Sequence, residues 1–251
     1  MDTPLLDAAQ RQSARAGSAS QETGAKVALV LGALLILALQ RWVPMGRLIL
    51  YPFTLLSTWV HEMGHGLTAI AVGGRFLRLD IFADASGMAH LEVVRGLGSA
   101  LSSAGGLLGP PLFGTVFLVV ARRAARPLLL FLAACLLLSL LLWVRTLVGL
   151  VTVGGLGLGI ALLSRWLPPA GRVFFAQLLG LLCVFDTVAR GDYLFTEGAR
   201  VGGALHPSDV AGIAKSLGGS YLMWGGLIAC ISGALILVGL YSVLGRGRRS
   251  A

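Results

Sequence analysis

Long apolar runs separated by short links rich in Arg, Gly and Pro dominate the chain, and the pattern predicts seven hydrophobic helices. They cover roughly residues 26–40, 43–72, 98–121, 126–144, 146–163, 172–189 and 221–244, most of them close to the 17 to 25 or so residues that a membrane span needs. Two connections follow a different pattern. From Arg75 to Val94 the period falls to two: Leu77, Leu79 and Ile81 alternate with Arg78 and Asp80, and Ala89, Leu91 and Val93 alternate with His90 and Glu92. With Asp84-Ala85-Ser86-Gly87 as turn chemistry between them, this predicts a β-hairpin over 75–94 directly after the second helix. Residues 191–220 are polar and predict a short helix capped by Ser208, with Val210, Ile213 and Leu217 on one side. Residues 1–25 are polar and read as a disordered tail without the apolar core of a signal peptide, and 246–251 form a basic tail.

The fold expected is therefore an all-α polytopic membrane protein, one transmembrane domain over 26–245 with a single inserted hairpin. Composition agrees, since 56% of the 251 residues are hydrophobic and only 12% are charged, where a soluble domain has about 25%. The net charge of +9 comes from arginines in the links between apolar runs, as headgroup anchors would be. No basic stretch carries interleaved aromatics, so a nucleic-acid partner is not expected. Cys135, Cys183 and Cys230 lie singly in apolar runs and predict neither a disulfide nor a zinc site. Glycines and alanines four apart, as in Gly105/Gly109 and Gly155/Gly159, suit close helix contact in lipid.

Chemistry enters in the second helix, at His61-Glu62-Met63-Gly64-His65. On a helix the two histidines of HExxH share a face and both reach one zinc ion, with the glutamate beside it as base for a water. A hydrolytic zinc site needs a third protein ligand. Counting crossings, the C-terminal end of the sixth helix returns to the membrane side where the second ends, which brings Asp186 to a similar depth. An acid there needs a partner, and zinc on His61 and His65 would be one. An ion pair with Arg190 at i+4 would be another. Asp192 and Asp209 lie on the same side as fallback ligands, although Asp209 also suits the first turn of its own short helix. His90 and His206 read as surface residues.

The segment Ser57 to Gly66 around HExxH, Gly73-Gly74, the hairpin with Gly87, the run Ser103 to Pro110, Asp186 at a helix end and Ser208-Asp209 together resemble the site-2 protease family of intramembrane zinc metallopeptidases, in its compact peptidase B-like branch. The resemblance spans about residues 45–245 and implies one Zn2+ on His61, His65 and Asp186, with Glu62 activating water. It departs from the family at Val184-Phe185-Asp186-Thr187, where a glycine usually follows the aspartate. The function expected is proteolysis of membrane-associated substrates in the cell (inner) membrane. The partners are then the lipid bilayer and a membrane-protein or peptide substrate, which the hairpin edge would bind by strand addition. The same hairpin would otherwise plug the site. Gly105, Gly106, Gly109 and Pro110 would either break the third helix or simply pack it. A catalytically inactive scaffold and a transporter are the alternative classes; a transporter has no need of a glutamate between two histidines.

Overall fold

The computed structural model describes residues 46–244 together with Gly24, Val27, Leu31, Gly32 and Leu34, which are helical. Most of the expected first helix, the tail before it and the basic end 246–251 lie outside the described residues. The HExxH helix is α1, Gly46–Ala71, and two strands follow it, β1 Arg75–Ile81 and β2 Gly87–Glu92. Next come α2 Leu97–Leu142, α3 Leu147–Trp166 and α4 Pro169–Ala189. A 3-10 turn at Gly191–Phe195, a second strand pair β3 Gly198–Val201 and β4 Ala204–Pro207, then α5 Asp209–Leu217 and α6 Tyr221–Leu244 complete the chain.

Four of these helices, α2, α3, α4 with the 3-10 turn, and α6, are long and apolar enough to cross a membrane. α1 is not among them, because Ser57, Thr58, His61, Glu62 and His65 run along it. Seven separate spans are therefore not what the described residues display. The expected third and fourth helices are one 46-residue element, bent at Ala124, the single residue inside it with non-helical backbone angles. Arg122 and Arg123 precede that bend and Pro127 follows it, so charge and the missing proline N–H loosen the helix at one place without ending it. Elsewhere local chemistry sets the ends: Thr146 caps α3 by accepting from the Gly149 N–H, and Pro168-Pro169 opens α4 three residues before the expected start at 172.

α2 is the centre of the bundle and packs against α1, α3, α4, α5 and α6. Leu55, Leu56, Leu129, Leu136 and Leu179 are fully buried between these helices. Outward faces stay apolar, with Phe131, Leu141, Leu147, Val151, Leu237 and Val238 all exposed. Water would penalise such a surface, whereas hydrocarbon would not.

The first hairpin forms where the alternation places it, antiparallel with Ile81 opposite Gly87. One detail differs. A register shift between Phe76 and Arg78 breaks the period, so Phe76 is buried and Leu77 is exposed. The stacking of Phe76 on Trp143, with the Trp143 indole N–H donating to the Phe76 carbonyl, explains the preference for the aromatic side chain inside. The hairpin folds back along α1: Thr58 Oγ donates to the Ala85 carbonyl and Tyr51 Oη to the Ala83 carbonyl. From Ala71 back to Thr58 is thirteen residues, so the tip re-enters by about 20 Å at helical rise. The outer edge of β1 is closed by the α2–α3 connection, through Leu79 N–H to the Trp143 carbonyl and Arg145 N–H to the Leu79 carbonyl. The outer edge of β2 faces α1.

Candidate metal centre

His61 and His65 stand one helical turn apart, with Nε2 atoms 3.0 Å from each other and rings edge to face at 4.6 Å. Helix periodicity alone brings them together. Their environment does the rest. The His65 Nδ1 lies 2.9 Å from the Ser102 carbonyl, which can only accept, so Nδ1 carries a proton and Nε2 is the ring atom turned towards His61. Ser102 Oγ returns a bond to the His65 carbonyl, locking α2 to α1 at this level. The helices come this close because Gly64 faces Gly105 backbone to backbone, and a Cβ on Gly106 would stand 2.2 Å from the His65 ring. The glycine run expected either to break the helix or to pack it therefore packs it: α2 stays helical through Pro110 and Pro111.

Glu62 is buried, at 6% exposure, and its Oε2 accepts from the Ala89 N–H of β2 at 2.8 Å. That N–H points away from β1, and alternation in an antiparallel pair turns the Gly87 peptide groups outward as well. Gly87 sits against the Glu62 and Thr58 side chains, where an added Cβ would stand 2.8 Å from either. The hairpin thus fixes the glutamate and presents a strand edge beside it.

The third group at the histidines is Asp209. Its Oδ2 lies 3.2 Å from His61 Nε2 and its Oδ1 3.4 Å from His65 Nε2. Asp186, expected in that place, is elsewhere on the cavity wall. It accepts from Ser57 Oγ at 2.5 Å and pairs with Arg190 Nε at 3.0 Å, so the i+4 ion pair prevails. Asp192 borders the same cavity and accepts from the Tyr193 N–H, whereas His90 pairs with buried Asp80 on the hairpin. Ser208 caps α5 through Ala211 N–H as expected. Asp209, the first residue of that helix, turns into the site instead of serving its own first turn. Burial alone would raise the Asp209 carboxyl, but the imidazoles of His65 and His61 outweigh it and hold it well below the usual carboxylate range.

Two features near Asp209 gave no sign in the sequence pattern. Tyr193 donates to Asp209 Oδ2 at 3.0 Å, and the second hairpin, which the polar stretch 191–220 does not announce, lines the cavity. Its Gly202 N–H donates to Ser86 Oγ, so the two hairpin tips meet. The signal that was available is the neighbourhood of each acid. Asp186 has an arginine four residues on, whereas Asp209 has Leu205 and Ile213 at four residues either way.

Among the described residues, His61, His65 and Asp209 are the group with metal-ligand spacing, their donor atoms all lying within 4.8 Å of one another. The donor set fits a cation. Three metal-donor atoms converge, one of them the His65 Nε2 that the Ser102 contact leaves facing inward. Two imidazoles and one carboxylate are also a set that zinc takes with a fourth position left open. A cavity of about 560 Å³ opens beside His61 and Glu62 and extends to Asp186, Tyr193 and β3.

Comparison with known proteins places the chain in a family. The family model of Peptidase M50B-like proteins matches residues 27–239, which include α1, both hairpins, α5 and most of α6. No curated protein and no solved structure matches the chain. That membership, with four apolar helices and a His/His/Asp group, suggests an integral membrane metalloprotease of a zinc-dependent family. The match covers far more than half of the sequence, and the chain belongs to the Peptidase M50B-like family, the site-2 protease group.

Proposed function

We propose that the protein is a zinc endopeptidase of the cell (inner) membrane that cleaves peptide bonds in membrane-associated proteins. The observation that carries this reading is the convergence of His61 Nε2, His65 Nε2 and the Asp209 carboxylate beside a buried glutamate. His61, His65 and Asp209 would hold one zinc ion, with Asp209 taking the part first expected of Asp186. Zinc bound there supplies Lewis acidity towards a peptide carbonyl and lowers the pKa of water to about 7.

The protein's own groups do the rest. Glu62 has Oε2 engaged by Ala89 N–H, which leaves Oε1 to take the proton from the attacking water and pass it to the leaving amine. The bond between Glu62 and β2 couples the base to the strand edge, so a substrate paired with that edge lies beside the carboxylate. An extended chain is needed, because a helical carbonyl is already bonded within its own helix. The outward peptide groups of Gly87 offer main-chain partners for one, as in strand addition. Glu62→Gln in detergent-purified protein should keep stoichiometric zinc and lose turnover. Wild-type protein carrying no zinc would sink the enzyme reading, and full turnover in Glu62→Gln would sink the role given to the glutamate.

A further inference from the structure

Asp209 reaches the histidines from the first position of α5, where its carboxylate has a competing choice. A short acid at that position can bend back to the N–H groups of its own first turn, where Ser208 already takes that of Ala211. Among the described residues, Tyr193 is the side chain other than the two histidines that bonds the carboxylate. Its hydroxyl donates to Oδ2 at 3.0 Å and accepts from the backbone N–H of Asp209 itself at 3.3 Å. One hydroxyl therefore occupies the N–H at the base of the side chain and holds the oxygen that faces His61.

Tyr193 is itself held. Its ring packs with the buried cluster that includes Leu107, Leu194, Val210 and Ile228. The 3-10 turn carrying it rests on α6, so closely that a Cβ on Gly225 would meet the Leu194 carbonyl. The ring is thus held between α6, Leu107 of α2 and Val210 of α5, with the 3-10 turn seated on α6.

We propose that Tyr193 is a positioning residue for the metal centre, holding Asp209 turned towards His61 and His65 and away from the first turn of α5. The proposal rests on the reading of His61, His65 and Asp209 as zinc ligands, and it assigns Tyr193 no contact with the metal or substrate. Outer partners of metal ligands typically contribute about 10- to 100-fold in affinity, and a loss in that range is expected in Tyr193→Phe.

The test uses the full chain purified in detergent, with zinc alone and cobalt(II) alone as probes. Wild type, Tyr193→Phe and, as a control, the exposed tyrosine variant Tyr241→Phe are compared. Zinc affinity is measured by chelator competition, the cobalt environment by visible absorption, and the metal-free fold by thermal melting. The expected result is zinc binding about 10- to 100-fold weaker in Tyr193→Phe, with an altered cobalt spectrum and unchanged metal-free melting. Tyr241→Phe should match wild type throughout. Equal affinity and an unchanged spectrum in Tyr193→Phe would overturn the proposal, as would a large drop in its metal-free melting, which would make Tyr193 a packing residue. Failure of wild type to bind either metal would instead overturn the zinc reading beneath it.

Discussion

The C-terminal end of α4 and the N-terminal end of α5 each bring an aspartate to the same cavity, and they use it in opposite ways. Asp186 has Arg190 one turn on and Ser57 across the cavity, so its charge is met by the protein. Asp209 has no Lys or Arg three or four positions away and meets two imidazoles and a tyrosine hydroxyl instead. Exposure and charge are similar for both. The difference is whether the local sequence already supplies a partner, because a carboxylate that is paired nearby has little reason to turn towards a metal. An acid left without one is the better candidate ligand.

The strongest way to break this comparison is to remove each acid in turn. Asp209→Ala should lose stoichiometric zinc, with affinity down by more than about 100-fold, beyond what an outer partner contributes, while Asp186→Ala retains it. Metal analysis of the two purified proteins decides, and the reverse outcome would restore Asp186 as ligand.

A smaller but still large effect is expected from the helix contact that seats His65. Gly106→Val puts carbon atoms where the imidazole lies, so His65 must leave the site or α1 must move away from α2. Overpacking of this kind costs about 1–3 kcal/mol. Lower thermal stability together with weaker zinc binding is expected; a variant with normal zinc affinity would show that the close approach of α1 and α2 is not needed.

Ser57→Ala sharpens the comparison from the other side. It removes one of the two side-chain partners of Asp186 and leaves Arg190, at a cost of about 1.5–3 kcal/mol for a bond to a charged group. Zinc stoichiometry should be unchanged while the melting temperature falls. Loss of zinc in this variant would mean that Asp186 communicates with the centre after all.

The smallest effect belongs to an acid wholly satisfied by its own turn. Asp84 accepts from both the N–H and the Oγ–H of Ser86, which hold its carboxyl below the ordinary carboxylate value. Such a group stabilises the folded hairpin tip above the unfolded-state pKa of about 3.9, and the contribution is lost as pH falls through the lower folded value. Because Asp84 is largely exposed, Asp84→Asn should speed amide exchange at Ser86 only slightly near neutral pH, with the difference closing in acid. A large effect near neutral pH would show that the tip depends on this one turn.

Much of the architecture was legible because it is local. The helix beginning at Thr146 and the one capped by Ser208 start where the sequence places them, and the alternation after Gly74 marks the first hairpin. The kink at Ala124 was harder to read, since Arg122-Arg123 and Pro127 look the same whether a helix ends or only bends. The register shift at Phe76 was hidden because the aromatic partner that draws Phe76 inward, Trp143, lies 67 positions away. The second hairpin was hidden in a different way: its strands are four residues each, too short for periodicity to register.

What the sequence determined by itself is the face that offers His61, Glu62 and His65 to one point, because 3.6 residues per turn places positions i and i+4 together wherever the helix goes. It also determined that this face belongs to an apolar, membrane-type bundle, because composition and run length do not depend on the fold. Which acid joins the histidines, which tautomer His65 takes and what holds Glu62 were decided only by the tertiary structure. Those choices depend on contacts between residues 27 to 148 positions apart, from Ala89 at Glu62 to Asp209 at His61. Helical spacing carries no information across such a distance, and only packing of α1, α2, the hairpins and α5 supplies it.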